Sequence, residues 1–140
     1  MLALKAQPGQ QFDGISFVPA LKGRPLDREA IFCHFPHGAG VRPGFEPSTY
    51  VRKGDWKLIR FYCGNNDQSD RFELYNLRED LGETKNLAAQ HPDMVKELNA
   101  MISRFLEDTK AIVPKPNPSY DPAATKTQPA KRPKAARKAR

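Results

Sequence analysis

Between Pro92 and Asp108, apolar residues fall at Met94, Val95, Leu98, Met101, Ile102, Phe105 and Leu106. That spacing lays one continuous stripe along a single face of a helix. Pro92 suits the first turn, where its missing N–H costs nothing. Asp93 and Glu97 favour the positive end of the helix dipole, whereas Glu107 and Asp108 sit at its unfavourable end. A stripe of this kind has to be buried against a second layer. The antiparallel sheet read from the remaining segments is the only candidate for that layer in the chain.

Strands for such a sheet are present. Ala30 to Phe35 is a compact apolar run ended by Pro36, and it reads as a buried strand. Residues 37–48, with Gly38, Gly40, Pro43, Gly44 and Pro47, read as a loop. Thr49 to Arg52 and Trp56 to Tyr62 flank Lys53-Gly54-Asp55, where glycine supplies the positive φ of a tight reversal. In the second of these strands Trp56, Leu58, Arg60 and Tyr62 share one face and Lys57, Ile59 and Phe61 the other. Neither face is purely polar, which predicts a central strand covered on both sides. A polar loop from Cys63 to Arg71 and a strand from Phe72 to Leu77 complete the set. The expected fold is α+β: a small antiparallel sheet of about four strands packed by one C-terminal helix, followed by a disordered basic tail.

The expected organisation is an extended segment over 1–29, the folded subdomain over 30–113, and a Pro/Ala/Lys/Arg tail over 114–140. The tail holds six of the 13 prolines and has almost nothing to bury, a composition that cannot offset ordering entropy. Charge divides along the same boundary. Of the 23 Lys and Arg, seven lie in residues 125–140 (Lys126, Lys131, Arg132, Lys134, Arg137, Lys138 and Arg140) and no acid accompanies them. The remaining 16 balance the 16 Asp and Glu, so the net charge of +7 belongs to the tail and the body is neutral. No run of 18 apolar residues spans a membrane, and Met1-Leu2-Ala3-Leu4-Lys5 lacks the apolar core of a signal peptide. Cys33 and Cys63 are too few for a disulfide framework; two free thiols are the favoured reading, with pairing as the alternative.

The residues that could carry chemistry are few. Cys33-His34-Phe35-Pro36-His37 puts a thiol and two imidazoles within five residues. Zinc sites of that kind need two separated ligand pairs, and His91 is the only further histidine. Cys33 paired with His34 as a nucleophile is disfavoured, because neighbours on a strand point to opposite faces. The bland reading leaves His34 satisfied by backbone at the rim of a buried strand. The functional one has His34 and His37 hydrogen-bonding an anionic or sugar-like substrate. Trp56 and Tyr75 read as sheet-packing aromatics rather than ligand platforms. Asp80, Glu83 and Asn86 have spacings that suit turn capping by side-chain oxygens rather than paired acid–base work. The tail's cations would engage polyanions by counterion release, with no aromatic among them to stack on bases.

Taken in order, five segments resemble the C-terminal subdomain of the sulfatases, the arylsulfatase-type sulfuric ester hydrolases. They are Asp13 to Gly23, the His34-Phe35-Pro36-His37 strand ending, Arg52 to Lys57, Glu73 to Ala88, and the helix over 92–108. The resemblance covers about residues 8–110 and leaves out the tail. It implies hydrolysis of sulfate esters by a formylglycine made within a Cys/Ser-x-Pro/Ala-x-Arg motif, assisted by a calcium ion. Neither Cys33, followed by His-Phe-Pro-His, nor Cys63, followed by Gly-Asn-Asn-Asp, fits that motif. No acidic pair matches the calcium site. Both groups are therefore expected only in a catalytic domain that this chain does not contain.

The expected function is the C-terminal part of a sulfatase acting on sulfated carbohydrate or aryl sulfate, inactive alone. Its partner would be a sulfatase catalytic domain in the same longer chain or a separate one. Substrate contact would fall to His34 and His37. The opening Met1-Leu2-Ala3-Leu4 suggests a truncated or mis-started reading frame, and the parent proteins are often exported. Two rivals stand beside this reading. One is a small non-enzymatic binding module that uses the basic tail for nucleic acid or another polyanion. The other is a structural subunit completing a separately encoded catalytic chain.

Overall fold

The computed structural model describes residues 14–37 and 46–121. The elements in order are α1 (Val18–Leu21), β1 (Ile31–Phe35), β2 (Ser48–Lys53), β3 (Trp56–Phe61), β4 (Arg71–Asn76) and α2 (Pro92–Asp108). The four strands form one antiparallel meander in the order β1-β2-β3-β4. Gly54 takes a φ of 58° as the first of the two residues joining β2 to β3, the position where a side chain would be strained.

Register explains the core. Phe32 faces Val51, Val51 faces Leu58 and Leu58 faces Leu74, so one row crosses the whole sheet on its inner face. The helix answers with Leu98, Ile102 and Leu106, spaced by four. Val51, Leu58, Leu74, Leu98 and Ile102 are fully buried together, and Phe32 stacks on Phe105 with ring centroids 4.6 Å apart. Arg60, on the same inner face, reaches out to Asp70 at 2.6 Å and fixes the loop after β3.

The expected α+β layering is observed, with a helix whose bounds match the stripe. One expectation is corrected. The strand around Cys33 is not buried: Ile31, Cys33 and Phe35 are exposed, because β1 is an edge strand and no second layer lies over its outer side among the described residues. On β3, the residues of the face opposite the helix are half-buried, and cations lie over aromatic rings there. Lys57 lies over the Tyr50 ring at 4.8 Å and Arg71 over Phe61 at 4.0 Å.

The chain beyond the helix also stays engaged past residue 113. Ala111 and Val113 pack against the core, and the Gln68 amide brackets Asn117, accepting from its N–H at 2.6 Å and donating to its carbonyl at 3.1 Å. The basic run and the segment before Gly14 lie outside the described residues.

Candidate functional site

The two imidazoles singled out in the sequence sit at the end of β1, and the strand alternation separates them. His34 faces the helix layer. Its Nδ1 lies 2.7 Å from Thr49 Oγ1, its partner in the strand register, and Thr49 Oγ1 lies 2.5 Å from the Tyr62 hydroxyl. Its Nε2 lies 3.0 Å from the Ile112 carbonyl. A carbonyl only accepts, so in the neutral ring Nε2 carries the proton and Nδ1 accepts from Thr49. Tyr62 in turn donates to Thr49. Burial pushes the Tyr62 phenol up, partly offset by its bond to Thr49 and the nearby Arg60.

This chain satisfies Thr49, the one fully buried polar residue among those described, and ties β1 to the strap that follows the helix. His37, two residues past the strand, is exposed and meets Phe35 edge-on at 5.9 Å. Of the two, His37 has its ring free toward solvent, while both ring nitrogens of His34 are engaged within the fold.

The remaining candidates are also placed. Trp56 packs on the core and meets His91 edge-on at 5.2 Å. Tyr75 is buried on the outer face, and its hydroxyl donates to Glu73 at 2.8 Å. Burial first, then that bond, push the Tyr75 phenol up to about 12. Asp80 caps its turn as expected, accepting from the Thr84 and Lys85 N–H groups at 2.7 and 2.8 Å, and these bonds hold its carboxyl below the usual range. Asn86 caps as well. Glu83 does not; it pairs with Lys57 at 2.7 Å.

Cys33 and Cys63 are free thiols. Among the described residues no group of three His, Cys, Asp or Glu could hold a metal ion.

No family model matches the chain. A sulfatase of Formosa agariphila is 32% identical over 105 residues, covering 69% of this chain and 19% of the relative. An uncharacterized sulfatase of Schizosaccharomyces pombe is 35% identical over 104 residues, covering 69% and 17%. The chain belongs to the sulfatase family. A protein solved in complex with its substrate D-glucosamine-2-N,6-O-disulfate superposes with a TM-score of 0.54 at 26% identity, covering 69% of this chain and 20% of that one. The chain spans less than a fifth of the length of the curated relatives it matches.

Proposed function

We propose that this chain works as the C-terminal part of a sulfatase that hydrolyses sulfate esters of carbohydrate or aryl type. In this reading the formylglycine and the metal ligands come from a catalytic domain in the same longer chain or a separate one, and the described subdomain is inactive alone. Its contribution is to pack against that domain and to present His37 to the substrate, with His34 held behind it. A similar structure carrying D-glucosamine-2-N,6-O-disulfate supports a sulfated sugar as the substrate class.

The observation that carries the reading is the outer side of β1. Ile31 and Phe35 keep 44% and 42% of their surface exposed, and Phe17 and Leu21 of the preceding segment keep 62% and 70%. Edge-strand side chains of this size are ordinarily covered by another layer. In this reading the catalytic domain is that layer, and the curated relatives, of which this chain covers 19% and 17%, have the length for one.

The test mixes the full chain with the Formosa agariphila sulfatase shortened by the segment that matches it. Recovery of aryl-sulfatase activity in the mixture, with none from either part alone, is the expected result. Sulfatase turnover by the lone chain would overturn it, and so would failure of the two parts to associate. Neither the described residues nor the relatives supply an observation in favour of the basic-tail reading.

A further inference from the structure

The strap that follows α2 is held at two places. Near its start the Ala111 N–H donates to the Leu106 carbonyl at 2.9 Å, Ala111 and Val113 pack on the core, and the Ile112 carbonyl accepts from His34 Nε2 at 3.0 Å. At its far end the Gln68 amide brackets Asn117. Between these ties lies a cavity of about 290 Å³. Tyr62, Cys63 and Asp70 line it from the end of the sheet, and Val113, Pro114 and Pro116 line it from the strap.

The loop that makes the far tie carries two backbone outliers. Cys63 has a φ of 53° and Gln68 a φ of 62°, the left-handed region that residues with a Cβ enter at a cost. At Cys63 the cost is offset by Asp70, whose Oδ1 accepts from the Cys63 N–H at 3.1 Å while Arg60 holds its other oxygen. At Gln68 it coincides with a side chain that reaches Asn117, 49 residues on, and offers it one donor and one acceptor as a neighbouring strand would. The strap itself is stiff. Pro114, Pro116 and Pro118 fix their own φ and restrict Val113, Lys115 and Asn117 before them, so a movement at one tie is carried to the other.

We propose that the strap is a two-point latch, which opens and closes over the cavity as one unit and in its closed form fixes the His34 ring. Closed, the Ile112 carbonyl keeps the ring proton on Nε2, so Nδ1 accepts from Thr49 and Tyr62 completes the row. Open, Nε2 and the Gln68 amide both meet water, and the ring is free to take the other tautomer. Opening breaks three hydrogen bonds whose groups all rehydrate, and uncovers only Ala111 and Val113 from the core. It therefore takes place well below the free energy of global unfolding. The latch stands on contacts within this chain; that it orders the strand end carrying His37 for a substrate rests on the reading proposed above.

The test perturbs one tie and reads the other, in the full chain labelled with nitrogen-15. Gln68→Gly removes the bracket and suits the left-handed backbone, so the loop keeps its path. It should speed solvent exchange of the His34 Nε2–H and labelling of Cys63 by a thiol reagent by one common factor of about tenfold, as loss of two ordinary hydrogen bonds predicts. Cys33, exposed on β1, serves as the reference whose labelling does not change. In the reverse direction Val113→Ala leaves Gln68 in place, yet should speed exchange of the Asn117 N–H.

An unchanged His34 proton in Gln68→Gly, or an unchanged Asn117 amide in Val113→Ala, would overturn the latch, since the two ties would then act independently. So would exchange of both protons in the native chain only as slowly as the Leu58 amide, because opening would then require global unfolding. That comparison needs no variant and decides the matter should Gln68→Gly misfold. Complementation reports on the catalytic partner and these rates on the strap, so the two readings fail separately.

Discussion

Thr49 has a single side-chain oxygen that serves two partners, which makes it the most consequential polar atom in the core. Replacing it with valine keeps the shape but strands His34 Nδ1 and the Tyr62 hydroxyl without a partner. Leaving buried polar groups unsatisfied costs about 1–3 kcal/mol. Removing the hydroxyl with Tyr62→Phe deletes only the last link, and should cost about 0.5–1.5 kcal/mol. Denaturant melts of both variants check the order; equal losses would mean that the chain of bonds is not cooperative. Tyr75 gives a test in pH. Its phenol titrates at 10.0 in an unfolded chain and at about 12 in the fold. Between those values the unfolded state gives up its proton first, so the buried phenol's stabilisation is whole below pH 10 and lost as pH rises through 12. Melting temperature should fall over that window, and Tyr75→Phe should flatten the fall.

The two edges of the sheet are treated differently. At β4 the segment after the strand closes the ladder: Asn86 Oδ1 accepts from the Leu74 N–H at 3.1 Å, its Nδ2 donates to the Phe72 carbonyl at 3.3 Å, and the Leu87 N–H donates to the Leu74 carbonyl at 2.8 Å. One amide thus imitates a neighbouring strand. Asn86→Ala should cost about 1–3 kcal/mol by leaving those groups unpaired, and should raise amide exchange at Leu74 above that at Leu58. At β1 no such closure exists among the described residues. The helix and the β2–β3 hairpin were legible in the sequence because their signals are local: a stripe at helical period, and a glycine in a turn of two. The β1 exposure was not, since an apolar run of five reads the same at an edge as in the middle of a sheet.

For the molecule as a whole, burial is one-sided. The inner face closes on α2; among the described residues the outer face buries Tyr75, carries Lys57 and Arg71 over aromatic rings, and leaves the row of β1 exposed. The isolated chain should bind a hydrophobic dye, and Ile31→Lys with Phe35→Glu should reduce that binding while leaving the cooperative melt in place. No dye binding by the native chain would contradict an uncovered face. Of the candidate site, the sequence located the end of β1 and the two histidines. It did not separate their roles, because the partners of His34 arrive from residue 49 across a loop and from residue 112 beyond the helix. A longer-range signal was nevertheless available: His34 and Thr49 face each other once the hairpin register is set.

Sequence by itself determined the four strands, the bounds of α2, the neutral body and the family, since each depends on short-range periodicity, composition or motif order, whereas the short helix α1 falls within a segment that reads as extended. Only the tertiary structure decided which cations are left without acids. Arg52 and Lys57 face each other across β2 and β3 and look equivalent in the sequence. Lys57 is neutralised by Glu83, 26 residues away, while Arg52 has no carboxylate partner among the described residues. Ion pairing depends on distances of a few ångströms between segments remote in sequence, and the strand register and loop path that set them exist only after the chain has folded.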